Sequence, residues 1–227
     1  MSIVSLDKNG KAVVSTNNGL DYMNKDGEQG IREVSTAITD VVREAHNLSK
    51  MDQGNVAVSI QDKDGNYSNY FVNETKDGNA IALMPSAKDQ AENGKEPIYF
   101  NKKYEQEESG RVKRDPTSNE PLYYFTMNKD TPAAQELINN IKINEFERSD
   151  GSNGLSLATR VTLNNPELAT KIAEYKNLEN PSDTSKTVAI ISKEGVRIAT
   201  TNELSEQKKA NEIMKQANKV QDTGMDR

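Results

Sequence analysis

Residues 56–72 read VAVSIQDKDGNYSNYFV, and the reading of their centre, QDKDGNY (61–67), decides the fold. The centre has two interpretations, a calcium loop or a tight turn. An EF-hand-type loop takes oxygen ligands at positions 1, 3 and 5, glycine at 6 and glutamate at 12. Asp62, Asp64 and Asn66 supply the first three, but Tyr67 stands at the glycine position and Asn73 at the glutamate position. Gly65 stands where a type I′ turn needs a residue at positive φ. The β-prone runs Val56–Ile60 and Tyr67–Val72 flank it directly. The stretch therefore predicts a β-hairpin rather than a metal loop.

The same turn recurs as Lys8-Asn9-Gly10, Lys25-Asp26-Gly27, Lys76-Asp77-Gly78 and Lys193-Glu194-Gly195. It predicts a hairpin of Ile3–Leu6 with Ala12–Ser15, another of Val188–Ile191 with Val196–Thr200, and a strand at Ala80–Met84. Residues 7–17 and 192–202 resemble each other, but the match is short, and ordinary likeness between hairpins accounts for it better than an internal repeat. Ile98–Tyr104 and Leu122–Met127 predict a long hairpin. Its connection, residues 105–121, is charged, carries two prolines, and reads as a mobile tip. Residues 85–96 read as a second polar loop.

Helical periodicity is clearest at Ile31, Val34, Ile38, Val41, Val42, Ala45 and Leu48, spaced to share one face. Thr131-Pro132 and Asn165-Pro166 each pair an N-cap residue with a proline at the first helical position. The helices they open carry Leu137, Ile138 and Ile141, and Leu168, Ile172 and Tyr175. Asn202 caps a last predicted helix over 203–220 with a thin apolar stripe, and the tail 221–227 is expected to fray. The expected class is α+β: a mainly antiparallel sheet built from several hairpins, with about four helices. Residues 1–201 are expected to form one α+β domain with a sub-boundary near 148–154. Residues 202–227 would be a C-terminal helix and tail, and that helix is a candidate for homo-oligomer formation.

Composition narrows the function. Only 33% of the 227 residues are hydrophobic, the net charge is -6, and there is no cysteine. Thiol catalysis, disulfides and cysteine-held metals are excluded. No signal peptide and no membrane-length apolar run is visible, which predicts a cytoplasmic protein with no membrane partner. The lean, asparagine-rich composition suggests a phage or mobile-element accessory factor. The single histidine, His46, neighbours the apolar face of the first helix without lying on it. No G-x-S-x-G, H-E-x-x-H, P-loop or dinucleotide fingerprint occurs. Ser5-x-x-Lys8 and Ser205-x-x-Lys208 match a serine–lysine spacing without a supporting motif. Glu105, Glu107 and Glu108 read as solvated loop charges. No catalytic residue, metal site or cofactor is expected.

The aromatic residues are more informative. Nine of the twelve lie between 67 and 125. Tyr99, Phe100, Tyr104, Tyr123, Tyr124 and Phe125 stand on the predicted long hairpin, interleaved with Lys102, Lys103, Arg111, Lys113 and Arg114. Adjacent aromatic pairs place one ring on each face of a strand. Rings with cations are how sheet proteins hold single-stranded nucleic acid, although the chain is acidic, with a pI near 5.1. The expected function is a non-enzymatic macromolecular interaction protein that binds another macromolecule, a protein partner or single-stranded nucleic acid, through hairpin 97–126. Single-stranded nucleic-acid binding by the same hairpin is the alternative, and an enzyme with a dispersed carboxylate site is the third reading.

Overall fold

The computed structural model describes residues 2–23, 28–51, 56–148, 151–179, 187–192 and 195–198. The chain opens with strands β1 (Ser2–Leu6) and β2 (Ala12–Val14), a small pair β3 (Asp21–Met23) and β4 (Gln29–Ile31), and helix α1 (Val34–Met51). A meander follows: β5 (Val56–Gln61), β6 (Tyr67–Glu74), β7 (Ala80–Pro85), β8 (Ile98–Tyr104) and β9 (Tyr123–Met127), with helix α2 (Ala87–Asn93) between β7 and β8. Helix α3 (Pro132–Asn140) leads into β10 (Ile143–Glu147), β11 (Asn153–Leu157) and β12 (Thr159–Leu163). Helix α4 (Pro166–Glu179) precedes β13 (Thr187–Ser192) and β14 (Gly195–Ile198).

Ten of these strands form one sheet in the order β14-β13-β1-β2-β12-β5-β6-β7-β8-β9. Every neighbouring pair is antiparallel. The protein is α+β, with the predicted hairpins in place. The decisive strand is one the turn signals do not mark. Strand β12 pairs with β2 on one side and β5 on the other, joining the N-terminal hairpin to the meander.

Directly opposed residues of an antiparallel pair point to the same face, so register sorts the sheet into two sides. Val4, Val14, Val161, Val58 and Tyr70 form one continuous row across five strands, and all five are buried. Ala12, Leu163 and Val56 form the next row of the same face. Ile38, Val41, Ala45 and Leu48 of α1 share one core cluster with these rows, as do Leu137 of α3 and Leu168 and Ile172 of α4. Burying one branched side chain contributes about 1.5–3 kcal/mol, against ~1 kcal/mol for a helix cap. The apolar rows therefore set where the helices dock, while the caps set where they start. Thr131 Oγ1 accepts from the Ala134 N–H, and Asn165 Oδ1 accepts from the Leu168 N–H.

Several expectations need correction. Ile31 belongs to β4 and is exposed, and α1 begins at Val34. Ile141 is buried, but it caps α3 rather than lying inside it. Residues 85–96 are not only loop. Ser86 caps α2 by accepting from the Asp89 N–H, and Gly94, at φ +61°, ends the helix. The described glycine turns are not type I′, which would need two central residues at positive φ. Gly65 has φ +91°, yet Asn119 is the only non-glycine at positive φ among the described residues. The Gly65 N–H donates to the Asp62 carbonyl and the Asp62 N–H to the Asn66 carbonyl. That is a type I turn closed by a left-handed glycine. The Asp62 carboxylate accepts from the Asn66 backbone and side-chain amides, so it serves the turn.

The connection 105–121 is also organised. The Glu105 N–H donates to Leu122, Lys113 to Glu105, and Leu122 to Lys113, a three-way backbone junction from which two small turns project. Strands β10 and β11 are paired, the Arg148 N–H donates to the Ser152 carbonyl and the Gly151 N–H to the Arg148 carbonyl, and residues 149–150 lie outside the described residues. The predicted helix 203–220, the turn residues 25–27 and 193–194, and the Tyr175 side chain lie outside the described residues.

The two faces of β12 predict unequal costs. Leu163→Ala should lower unfolding free energy by roughly 2–5 kcal/mol, and Thr162→Ala by no more than about 1 kcal/mol. Urea denaturation of the two variants measures the difference.

Candidate interaction surface

Register divides the aromatic hairpin between the two faces. Phe100 opposes Met127, Lys102 opposes Phe125, and Tyr104 opposes Tyr123, all on the helix-covered side. Asn101 opposes Thr126 and Lys103 opposes Tyr124 on the outward side, which Tyr99 shares by alternation along β8. Phe100 is fully buried and Phe125 nearly so. These two members of the predicted binding set are core residues, with no ring face available to a partner. Tyr99, Tyr104, Tyr123 and Tyr124 remain exposed.

The predicted basic residues do not form a positive platform. Lys113 pairs with Glu105 at 3.4 Å, and Arg114 donates to the Asn119 carbonyl at 2.8 Å. Arg111 is exposed on the first small turn. Lys102 turns to the helix side, where its ammonium lies 4.1 Å from the Tyr123 ring centroid and 5.8 Å from that of Tyr104. Only Lys103 of the two hairpin lysines faces outward.

The helix side of the hairpin ends in a mixed aromatic and charged cluster that includes His46. This histidine is buried at 3% exposure, deeper than a position beside the apolar face implies. Its ring meets Phe125 edge-on at 5.9 Å, and Phe125 meets Tyr123 edge-on at 5.6 Å. His46 Nε2 lies 3.3 Å from Glu74 Oε2, and Lys50 reaches the same oxygen at 3.2 Å. Burial lowers the imidazole pKa from its ordinary value, and Lys50 and Lys102 add to this while Glu74 opposes it. Burial also works against the charge on Glu74, but Lys50 and His46 outweigh it and hold that carboxyl below its usual range. The cluster clamps β9 and β6 to the last turns of α1.

The outward face has a different character. On β6 it presents Tyr67, Asn69, Phe71 and Asn73, and on β7 Ala80, Ala82 and Met84. Ala57, Ser59 and Gln61 of β5 and Arg160 and Thr162 of β12 continue it. From β12 to β9 no outward position holds Asp or Glu, although the chain carries 35 of them. The rings stand free: Tyr67 is 55% exposed, Phe71 46%, Tyr99 39% and Tyr124 45%. The sequence reading found Tyr99, Lys103 and Tyr124 of this surface and missed Tyr67, Phe71 and Met84. Their signal was the period of two in Tyr67, Asn69 and Phe71, which needs the register before it can be assigned to a face.

No protein family, curated protein or solved structure matches this chain. The site therefore rests on its own geometry. Among the described residues no group of three or more metal-ligating side chains gathers, and no helix is long and apolar enough to cross a membrane.

The buried imidazole predicts a pH response. The unfolded chain takes up the His46 proton near its ordinary pKa of 6.5, whereas the folded protein takes it up only at lower pH. Stability should therefore fall as pH drops from about 7 to about 5. His46→Gln should lose less over the same window, as read by thermal melts. An equal loss in both proteins would show that His46 is not the responsible group.

Proposed function

We propose that this is a non-enzymatic binding protein whose partner is another protein, seated on the outward face of β5 to β9. The observation that supports the reading is the composition of that face. The centres of protein–protein interfaces are enriched in Tyr, Phe, Met and Arg and depleted in Lys, Glu and Asp. Tyr67, Phe71, Met84, Tyr99, Tyr124 and Arg160 lie on one continuous sheet surface, with Lys103 as its only lysine and no carboxylate. The neutral amides of Asn69, Asn73 and Asn101 supply hydrogen bonding between the rings, as in paratopes rich in tyrosine and asparagine. A nucleic-acid groove instead gains affinity from many phosphate contacts, and Lys103 and Arg160 are too few to provide them. The hairpin contributes its outward residues Tyr99, Lys103 and Tyr124, while Phe100 and Phe125 hold it in place from the core.

The test places a photo-crosslinking phenylalanine at Tyr99, and separately at Tyr124, in cells that naturally express the protein. The captured protein is then purified and its affinity measured by calorimetry. Phe71→Glu should weaken binding about thirtyfold or more, the scale of a hot-spot residue, with an unchanged melting temperature. No protein adduct at either position, or an affinity indifferent to Phe71→Glu, would overturn the reading. So would salt-sensitive binding of labelled single-stranded DNA that Tyr99→Ala and Tyr124→Ala abolish, which would transfer the face to nucleic acid.

A further inference from the structure

A cleft with a volume of about 100 Å³ lies on the opposite side of the sheet from the proposed interface. It opens between α3, the ends of β5 and β6, and the start of β8. Its floor is apolar, made by Ile60, Ile98, Leu137 and Ile141, all of them buried. Ligand sites usually have this form: a mainly apolar concavity with a few convergent polar groups.

The polar groups here are ordered. The Lys95 ammonium donates to Ser68 Oγ at 2.5 Å, and Ser68 and Tyr70, two residues apart on one face of β6, both line the cleft. Tyr70 is buried at 6% exposure, so its hydroxyl is held at the cleft wall by the fold. An ammonium has three N–H donors; Lys95 uses one on Ser68 and also lowers the pKa of the Asp89 carboxyl through its charge, without closing an ion pair of 4 Å or less among the described residues. Ammonium and hydroxyl donors thus meet at one end of an apolar floor, which is the chemistry that receives a carboxylate. The opposite charge is present as well. Glu136 and Glu96 line the same cleft, and the Tyr70 hydroxyl is pushed up by burial and then by the Asp89 and Glu136 carboxylates. A simple anion would meet these carboxylates unfavourably, whereas a molecule carrying both charges would satisfy both sets.

We propose that the cleft binds a small apolar α-amino acid. Its carboxylate meets Lys95 and Ser68, its ammonium faces Glu136, and its side chain lies on Ile98 and Leu137. This site is independent of the proposed protein interface, which lies on the other face of the sheet.

The experiment uses the full chain and three matched probes, followed by amide chemical shifts: L-leucine, 4-methylpentanoate (which lacks the ammonium) and 3-methylbutylamine (which lacks the carboxylate). Leucine should produce saturable shifts centred on Ser68, Tyr70, Lys95 and Leu137, with at least tenfold tighter binding than either analogue. Lys95→Met should weaken leucine at least tenfold. Glu136→Gln should weaken leucine and tighten 4-methylpentanoate, which no longer meets that carboxylate. Both substitutions are on side chains outside the core, and a spectrum retaining native dispersion verifies folding. Absence of saturable shifts, an analogue binding as tightly as leucine, or leucine binding unaffected by Lys95→Met would each overturn the proposal.

Discussion

The pairing of β12 with both β2 and β5 is the constraint on which the rest of the structure depends. Val161 sits between Val14 and Val58 and is fully buried. The three residues come from distant parts of the chain, so closing this contact carries a loop-closure cost that local hairpins do not. Without it the N-terminal hairpin and the meander are separate small sheets, each with an apolar face and nothing continuous to dock on. With it, one apolar face runs across the sheet, and helices α1, α3 and α4 have a common floor. Hairpin formation is local and fast, whereas non-local pairing such as that of β12 is slow.

Covering one face of a sheet with helices leaves the other to solvent, and antiparallel sheets tolerate this. The charges follow the same division. Carboxylates such as Glu74 and Asp40 sit on the helix side, where Lys50, Arg32 and Arg43 neutralise them. The outward strand positions hold rings, amides and small residues instead. The hairpin β8–β9 belongs to both layers. Its inward Phe100 and Phe125 anchor it to α1 through His46 and the core, and this anchoring keeps Tyr99 and Tyr124 at fixed positions on the open side. Rigid placement matters for recognition because a ring that is already ordered loses less entropy on binding.

Much of the architecture was legible in the sequence for identifiable reasons. The hairpin turns announced themselves through glycines that must adopt positive φ, and α1 through a stripe that ends up buried. The turn type was misread because Asp-Gly and Asn-Gly serve both a type I′ turn and a type I turn closed by a left-handed glycine, and only backbone angles separate them. Helix α2 was missed because it buries no residue, so it has no apolar period. Its cues were only Ser86 with Asp89 three residues later, and Gly94. Strand β12 was missed because its partners are remote and its five residues carry no glycine turn between them and β11. The candidate surface was half legible. Alternation separated Tyr99 from Phe100 and Tyr124 from Phe125, but joining Phe71 and Tyr67 to Tyr99 required the order of β6, β7 and β8. His46 went unread because one residue beside an apolar stripe gives no sign that Phe125 and Glu74 will close over it.

One face of the sheet is core and the other is an open surface of rings. Solvent paramagnetic relaxation enhancement measures this directly, using a neutral gadolinium chelate and the side-chain proton signals of the full chain. Strong enhancement is expected at Phe71, Met84, Tyr99 and Tyr124, and near-complete protection at Val58, Phe100 and Val161. Protection of the four outward side chains to the level of Phe100 would mean that something covers that face and that it is not an open surface.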